Sequence, residues 1–180
     1  MSTSTPVLGE TLVDAASIRR RVVELAADID AHYTDVDRPV VLLCVLKGSL
    51  IFTSDLLRAL TVPVEFDCVA VRSYGTGSVS SGVVEMAREP SESLTGRDVL
   101  IVEDIVDTGN TIAFLQRYVA GVGARSVRVV ALLNKTARRA HPLEVDWHGF
   151  DIEDRFVVGY GLDYGGRFRN LAEVRALHGV

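Results

Sequence analysis

Cysteine, histidine and long apolar stretches are all scarce in this chain of 180 residues. The two cysteines, Cys44 and Cys68, each lie inside an apolar run, which indicates buried thiols rather than a disulfide framework or a zinc site. The four histidines show no metal-ligand spacing. The longest apolar runs, such as residues 39–46, are too short to cross a bilayer, and residues 1–9 show no signal peptide. We therefore expect a cytoplasmic protein that is not bound to a membrane.

Positive charge is also in short supply. Lysine and arginine number 19 against 24 aspartates and glutamates, for a net charge of −5, and basic clusters are confined to residues 19–21 and 135–139. Nucleic acid backbones require a broad positive surface, so this balance argues against nucleic acid as the main partner. A small anionic substrate remains compatible with it, because such a substrate needs only a local cluster of N–H groups and a metal.

Apolar spacing predicts one domain in which helices and strands alternate. Such alternation is typical of an α/β fold with a mostly parallel twisted sheet flanked by helices. Residues 1–9 are predicted to form a loose tail, and residues 73–82, rich in glycine and serine, a mobile loop. Helices are predicted at 13–33, 50–60, 111–120 and 171–177, and strands at 39–46, 63–72, 83–88, 98–102, 126–133, 145–150 and 155–160.

Polar residues follow three of the predicted buried strands. They are residues 47–49, 103–104 and 134–135. In parallel α/β sheets ligands bind beyond the carboxyl ends of the strands, so we expect these three groups to converge on one cleft.

The segment 99–111 carries the strongest indication of chemistry. Glu103 and Asp104 end an apolar strand, and Asp107-Thr108-Gly109-Asn110-Thr111 opens a predicted helix with small residues, hydroxyls and free N–H groups. Free N–H groups and the helix dipole both favour phosphate. Adjacent carboxylates would repel a bare phosphate, but a ribose phosphate with magnesium supplies hydroxyls and a cation for them to face. Acids that merely cap a turn are the alternative.

This segment resembles the phosphoribosyl pyrophosphate signature of type I phosphoribosyltransferases, and the chain more closely resembles the hypoxanthine-guanine phosphoribosyltransferases. The match runs over about residues 40–171 and includes four separated motifs in the right order. The resemblance implies transfer of a 5-phosphoribosyl group to N9 of hypoxanthine or guanine, giving IMP or GMP and pyrophosphate, with Mg²⁺. It also implies a core at about 36–145, a hood from the N-terminal segment and about 146–180, and a homodimer or homotetramer.

The first two motifs imply pyrophosphate binding and a lid. In the family, the loop at Lys47 and Gly48 binds pyrophosphate and contains a cis peptide bond between the positions of Leu46 and Lys47. Ser73 and Tyr74 begin the glycine-rich stretch that the family uses to close over the reacting centre, where water would intercept an oxocarbenium-like ribose. A flexible hairpin loop is the alternative for that stretch.

The third motif is the signature itself. The resemblance implies that Glu103 and Asp104 hold the ribose hydroxyls and a metal, and that Asp107 faces N7 of the purine as general base. The 5′-phosphate would be bound by Thr108, Gly109, Asn110 and Thr111. Asn110 stands where some relatives have lysine, which leaves the charge balance at this phosphate open.

The fourth motif is implied to recognise the base. Lys135 would donate to O6 of the purine and, lacking an acceptor, would reject the 6-amino group of adenine. Phe156 would stack on the purine face and Val157 would offer backbone groups to its edge. Asp163 would bind a second magnesium ion, and Arg169 would contact pyrophosphate.

Two other functions remain to be weighed. Some proteins with this fold are nucleotide-sensing RNA regulators, which need a broad basic face that the negative net charge does not favour. Use of a pyrimidine base fits the signature but not the fourth motif.

Overall fold

A computed structural model describes residues 6–74, 83–139 and 143–180. In this part of the chain no helix is long and apolar enough to cross a membrane. The elements, in chain order, are β1 (Val7–Val13), α1 (Ala15–His32), β2 (Val40–Leu46), α2 (Leu50–Ala59), β3 (Val64–Tyr74), β4 (Val83–Arg88), β5 (Asp98–Val106), α3 (Asn110–Gly121), β6 (Ser126–Asn134), β7 (Trp147–Asp151), β8 (Val157–Val158) and β9 (Val174–His178).

The central sheet has six strands in the order β4-β3-β2-β5-β6-β7. All neighbouring pairs are parallel except β3 and β4, which are antiparallel. Strand residues alternate between two apolar clusters: Leu42 and Leu100 pack with α1 and α2, while Leu43 and Ile101 pack with α3. Helices on both faces explain why β2 is apolar throughout. The predicted α/β fold is confirmed.

Helix α1 illustrates how local sequence sets these elements. Oδ1 of Asp14 accepts hydrogen bonds from the backbone N–H groups of Ala16 and Ser17, both at 2.9 Å, and so caps the helix. One apolar stripe, which includes Ile18 and Val22, is buried as its helical spacing predicts. Helices α2 and α3 also lie close to their predicted bounds.

The two ends of the chain meet in a second sheet, of three strands in the order β1-β9-β8. Two predictions were wrong here. Residues 7–9, predicted as part of a loose tail, begin β1, and the helix predicted at 171–177 is replaced by β9. Each strand takes its backbone hydrogen bonds from the distant end of the chain, and the short apolar spacing of 171–177 does not distinguish helix from strand.

Strand β5 is longer than predicted, and this changes the setting of the acidic pair. It continues to Val106 rather than ending at Val102, so Glu103 and Asp104 lie within the strand. The partner β6 extends correspondingly, and Val106 pairs with Asn134. Strand β8 is shorter than the predicted 155–160. The sheet also includes β7, while the predicted boundary between core and hood near residue 146 stays a prediction.

Cys44 is buried as predicted, whereas Cys68 is only partly buried. The two residues pair across β2 and β3, and both thiols are free. The predicted lid continues from β3, whose last residues Ser73 and Tyr74 pair with β4. Its remainder at 75–82 lies outside the described residues.

Candidate active site

A cavity of about 770 Å³ lies beyond the carboxyl ends of β5 and β6. This is a usual size for a small-molecule site. Six of the predicted site residues line it: Asp104, Asp107, Lys135, Phe156, Val157 and Asp163. Seven further residues that the sequence did not single out also line it: Ile105, Arg138, Asp154, Arg155, Leu162, Tyr164 and Val180.

The acidic pair Glu103 and Asp104 lies beside the cavity, which Asp104 lines. Glu103 is 7% exposed, and its Oε2 has no hydrogen-bond partner among the described residues. Burial, together with the adjacent Asp104 charge, raises the pKa of Glu103 well above its usual range. Burial also raises the pKa of Asp104, whose Oδ1 accepts from the N–H of Ile105 at 2.7 Å. Hydroxyl donors or a cation would stabilise the ionised forms of these two buried carboxylates.

The Lys47 loop lies directly against this acidic pair. The peptide bond between Leu46 and Lys47 is cis, as the family resemblance implied. A Cβ added to Gly48 would lie 1.5 Å from Oδ2 of Asp104, so any larger residue would force the loop or that carboxylate to shift. Lys47 is exposed and Gly48 is buried. The loop after β2 and the acidic residues of β5 therefore converge, as predicted.

The start of α3 presents an anion-binding arrangement. Gly109 is the N-cap residue with φ of 85°, a left-handed conformation that favours glycine. The first N–H groups of a helix have no partner within it, and no acidic residue occupies the first turn of α3. Oγ1 of Thr108 accepts from the N–H of Asn110 at 3.4 Å. The remaining N–H groups and the helix dipole favour an anion here.

Lys135 and Asp107 face each other inside the cavity. Nζ of Lys135, a residue 5% exposed, lies 3.6 Å from Oδ2 of Asp107 and 3.4 Å from Oδ1 of Asp154. It also donates to the carbonyl of Arg155 at 3.0 Å, which fixes its position. Nη1 of Arg138 lies 3.8 Å from the same Asp107 oxygen. Oδ1 of Asp107 is buried and unpartnered within the described ranges, so it is available to accept a proton.

Part of the cavity wall is aromatic. Phe156 is 46% exposed, which is high for an apolar residue beside a cavity. Its ring makes an edge contact with that of Tyr164, with 5.7 Å between centroids. Val157 is buried and paired with Ala176 of β9, so the three-stranded sheet holds this wall in place. A flat aromatic ligand has a ring to stack on here.

Asp163 and Arg169 are paired with each other. Nη2 of Arg169 lies 2.5 Å from Oδ1 of Asp163, and its Nη1 donates to the carbonyl of Gly161 at 2.6 Å. The other Asp163 oxygen accepts from the N–H of Gly166 at 2.7 Å. A Cβ added to Gly161 would lie 2.0 Å from the carbonyl oxygen of Gly48, so this segment packs against the Lys47 loop.

Comparison with known proteins gives the family. The model of the phosphoribosyl transferase domain matches residues 9–165. The hypoxanthine-guanine phosphoribosyltransferase of Mycobacterium avium is 42% identical over 170 residues, covering 92% of this chain and 84% of the relative. The chain belongs to the hypoxanthine-guanine phosphoribosyltransferase family. The Bacillus subtilis enzyme of the same name is 39% identical over 168 residues, covering 93% of this chain and 92% of that one.

Solved structures agree with this family. A crystal structure of a hypoxanthine phosphoribosyltransferase from Staphylococcus aureus superposes with a TM-score of 0.89 at 36% identity. It covers 94% of this chain and 91% of the other. The predicted family, fold class and enzyme activity are confirmed by these matches. The assignments of individual site residues remain predictions.

The donor set near the cavity fits the magnesium that the family resemblance implies. Among the residues described, no cluster of three or more histidines, cysteines or acids could hold a metal alone. Magnesium is usually bound by one or two carboxylates together with substrate phosphates and water. Glu103 and Asp104 supply such carboxylates, and the unpartnered oxygen of Glu103 is consistent with a cation nearby.

Proposed function

We propose that the protein is a purine salvage enzyme that transfers the 5-phosphoribosyl group from phosphoribosyl pyrophosphate to N9 of hypoxanthine or guanine. The products are IMP or GMP and pyrophosphate. The observation that supports this most directly is the pairing of Lys135 with Asp107 in a cavity walled by Phe156. A cation beside an acceptor matches a 6-oxopurine edge, which offers the O6 acceptor beside the N7 proton.

The base is proposed to lie between the aromatic wall and this pair. Phe156 stacks on its face, and Lys135 donates to O6. An ammonium group has no acceptor for the 6-amino group of adenine, so adenine would leave a buried donor unpaired. Val157 offers backbone groups to the other edge of the base.

Asp107 is proposed as the general base. As the bond between C1′ and N9 forms, the bond between C1′ and the pyrophosphate oxygen breaks, and the N7 proton passes to Asp107. The buried, unpartnered Oδ1 of Asp107 supports this assignment. Binding both partners in one orientation converts a two-body encounter into a reaction within one complex.

The sugar phosphate is proposed to occupy the remaining loops. Glu103 and Asp104 face the ribose hydroxyls and the metal. When bound, magnesium neutralises charge on the departing pyrophosphate. Asp163 is proposed to hold a second ion, and Arg169, which is paired with Asp163 here, is proposed to contact pyrophosphate. The 5′-phosphate is assigned to Thr108, Gly109, Asn110 and Thr111, and pyrophosphate to Lys47, Gly48 and Arg169.

Water exclusion, assembly and location complete the proposal. Ser73 and Tyr74 are proposed to begin a lid that keeps water from the ribose. We propose a division into a core and a hood, which the separate three-stranded sheet supports. A homodimer or homotetramer and a cytoplasmic location are also proposed, the latter supported by the free thiols of Cys44 and Cys68.

Direct product detection tests this function. Purified protein is incubated with phosphoribosyl pyrophosphate, magnesium and hypoxanthine, and the nucleotide is separated by chromatography. We expect IMP and pyrophosphate in equal amounts, and loss of both when the magnesium is chelated. A parallel incubation contains guanine in place of hypoxanthine. If neither base gives a nucleotide, the proposal is refuted.

A further inference from the structure

The half-buried Arg139 has one buried guanidinium nitrogen, Nη1, to which the proposed function assigns no role. Its Nη1 is inaccessible to solvent and has no hydrogen-bond partner among the residues that the structure describes. A buried donor without an acceptor is costly, and more so when it is charged. Burial lowers the pKa of Arg139, while Asp107 raises it. A guanidinium group nevertheless stays charged in proteins, so this one calls for an anion.

This group lies against the loop assigned to the 5′-phosphate. A Cβ added to Gly109 would lie 3.3 Å from Cδ and 3.6 Å from Nη1 of Arg139. Gly109 is the N-cap of α3, where free N–H groups and the helix dipole already favour an anion. The unpartnered N–H groups of Arg139 are therefore beside an anion-binding helix start.

Two side chains at the ends of neighbouring strands hold Arg139 in place. Its Nη2 donates to Oδ1 of Asn134 at 2.5 Å, and Nδ2 of Asn134 donates to Oδ1 of Asp151 at 2.7 Å. Asn134 is 9% exposed and ends β6, while Asp151 ends β7. One amino group of the guanidinium is thus fixed, which leaves Nη1 for the loop.

The other cations of the same segment are already engaged. Nζ of Lys135 and Nη1 of Arg138 lie 3.6 Å and 3.8 Å from Asp107. The helix start itself brings no positive side chain, because the first basic residue of α3 is Arg117, in its second turn. Among the described residues of this segment and of the helix start, Arg139 is therefore the cation that remains for a doubly charged phosphate at this loop.

We propose that Arg139 is a binding residue for the 5′-phosphate and that Asn134 positions it. Nη1 is closed to solvent in the free protein, and it donates to a phosphate oxygen when the phosphate displaces the loop at Gly109 that covers it. This inference rests on the function proposed above. The Lys135–Arg139 segment then serves both substrates: Lys135 binds the base and Arg139 binds the phosphate of the sugar.

The test compares binding of IMP with binding of inosine, which differ only in the 5′-phosphate. Affinities are measured by calorimetry for the wild type, for Arg139→Gln and for Arg20→Gln, a control with the same charge change on the exposed face of α1. A hydrogen bond to a charged group contributes enough that Arg139→Gln should weaken IMP binding about 10-fold to 100-fold. Inosine binding should not change, and the control should bind both ligands like the wild type.

Unchanged IMP affinity in Arg139→Gln would overturn the inference, as would equal losses for IMP and inosine, which indicate a structural role. A wild type that binds IMP no more tightly than inosine would instead refute the proposed phosphate site, and the function with it.

If circular dichroism shows Arg139→Gln to be unfolded, Arg139→Lys takes its place. A lysine cannot donate to Asn134 and to a phosphate at the loop at the same time. IMP binding should therefore weaken severalfold while inosine binding does not change. An unchanged ratio of the two affinities would refute the inference.

Discussion

Nζ of Lys135 lies 3.6 Å from Oδ2 of Asp107, inside the candidate active-site cavity. One residue is a donor only and the other, when ionised, an acceptor only. Side by side they complement the O6 and N7 positions of a 6-oxopurine, and each can be removed separately.

Asp107→Asn should lower turnover about 10²-fold to 10⁴-fold, the usual contribution of general acid–base catalysis. Binding of phosphoribosyl pyrophosphate should largely persist, because the sugar contacts lie on other residues. Steady-state kinetics and substrate binding measure the two effects. Asp154→Asn is the matched control: it removes an acid 3.4 Å from Lys135 but not the proposed base, so less than about a tenfold loss is expected. Equal turnover in Asp107→Asn and the wild type would remove Asp107 from the role.

Lys135→Ala should weaken use of 6-oxopurines far more than binding of the sugar phosphate. The preference for hypoxanthine over adenine should fall, since the donor that reads O6 is gone. A purine competition assay measures the preference. Arg138→Ala, which removes the neighbouring exposed cation, should retain it. An unchanged preference in Lys135→Ala would contradict the O6 assignment.

Glu103→Gln should stabilise the protein without ligands. The raised pKa of Glu103 means that the folded state binds this proton more tightly than the unfolded state, so its contribution to stability falls as pH rises through the folded pKa. Glutamine does not titrate, so the variant does not lose stability in this way as the pH rises. The unfolding midpoint of Glu103→Gln should therefore exceed that of the wild type by more at pH 8 than at pH 5. Thermal unfolding at both pH values measures it. Glu24→Gln, at an exposed site, should give no such trend; a gain independent of pH would contradict the explanation.

Gly48→Ala should raise the KM for phosphoribosyl pyrophosphate. A Cβ at this position would lie 1.5 Å from Oδ2 of Asp104, so the loop or the carboxylate must shift. Initial rates at varied sugar substrate measure the effect. Gly121→Ala at the end of α3 is the control, because its Cβ would meet no atom within 4 Å, and its kinetics should match the wild type. If Gly48→Ala had the same KM as Gly121→Ala, the close approach of residue 48 to Asp104 would have no effect on binding of the sugar substrate.

Local sequence predicted the elements whose contacts are local or whose pattern is strong. The apolar stripe of α1 predicted a helix, and the continuous apolar run of β2 predicted a buried strand. The placement of the loops at Lys47 and Lys135 followed from the rule that ligands bind at the carboxyl ends of parallel strands. The pairing of β1 with β9 could not be predicted in this way, because each strand is completed by residues from the other end of the chain.

The sequence predicted which residues form the site, but it did not predict the contacts between them. Motif order indicated Asp107 and Lys135, but their separation depends on an extension of β5 that apolar spacing did not show. The pairing of Arg169 with Asp163 and the burial of Arg139 also depend on packing between distant segments. A basic cluster in the sequence gave the only indication of Arg139.

The most direct test of the central claim is the ratio of kcat/KM for hypoxanthine to that for adenine in the wild type, with phosphoribosyl pyrophosphate and magnesium in excess. A site built around Lys135 leaves the 6-amino group of adenine unpaired, so the ratio should exceed about 100. A ratio near one, or a preference for adenine, would contradict the assignment of this cavity to a 6-oxopurine.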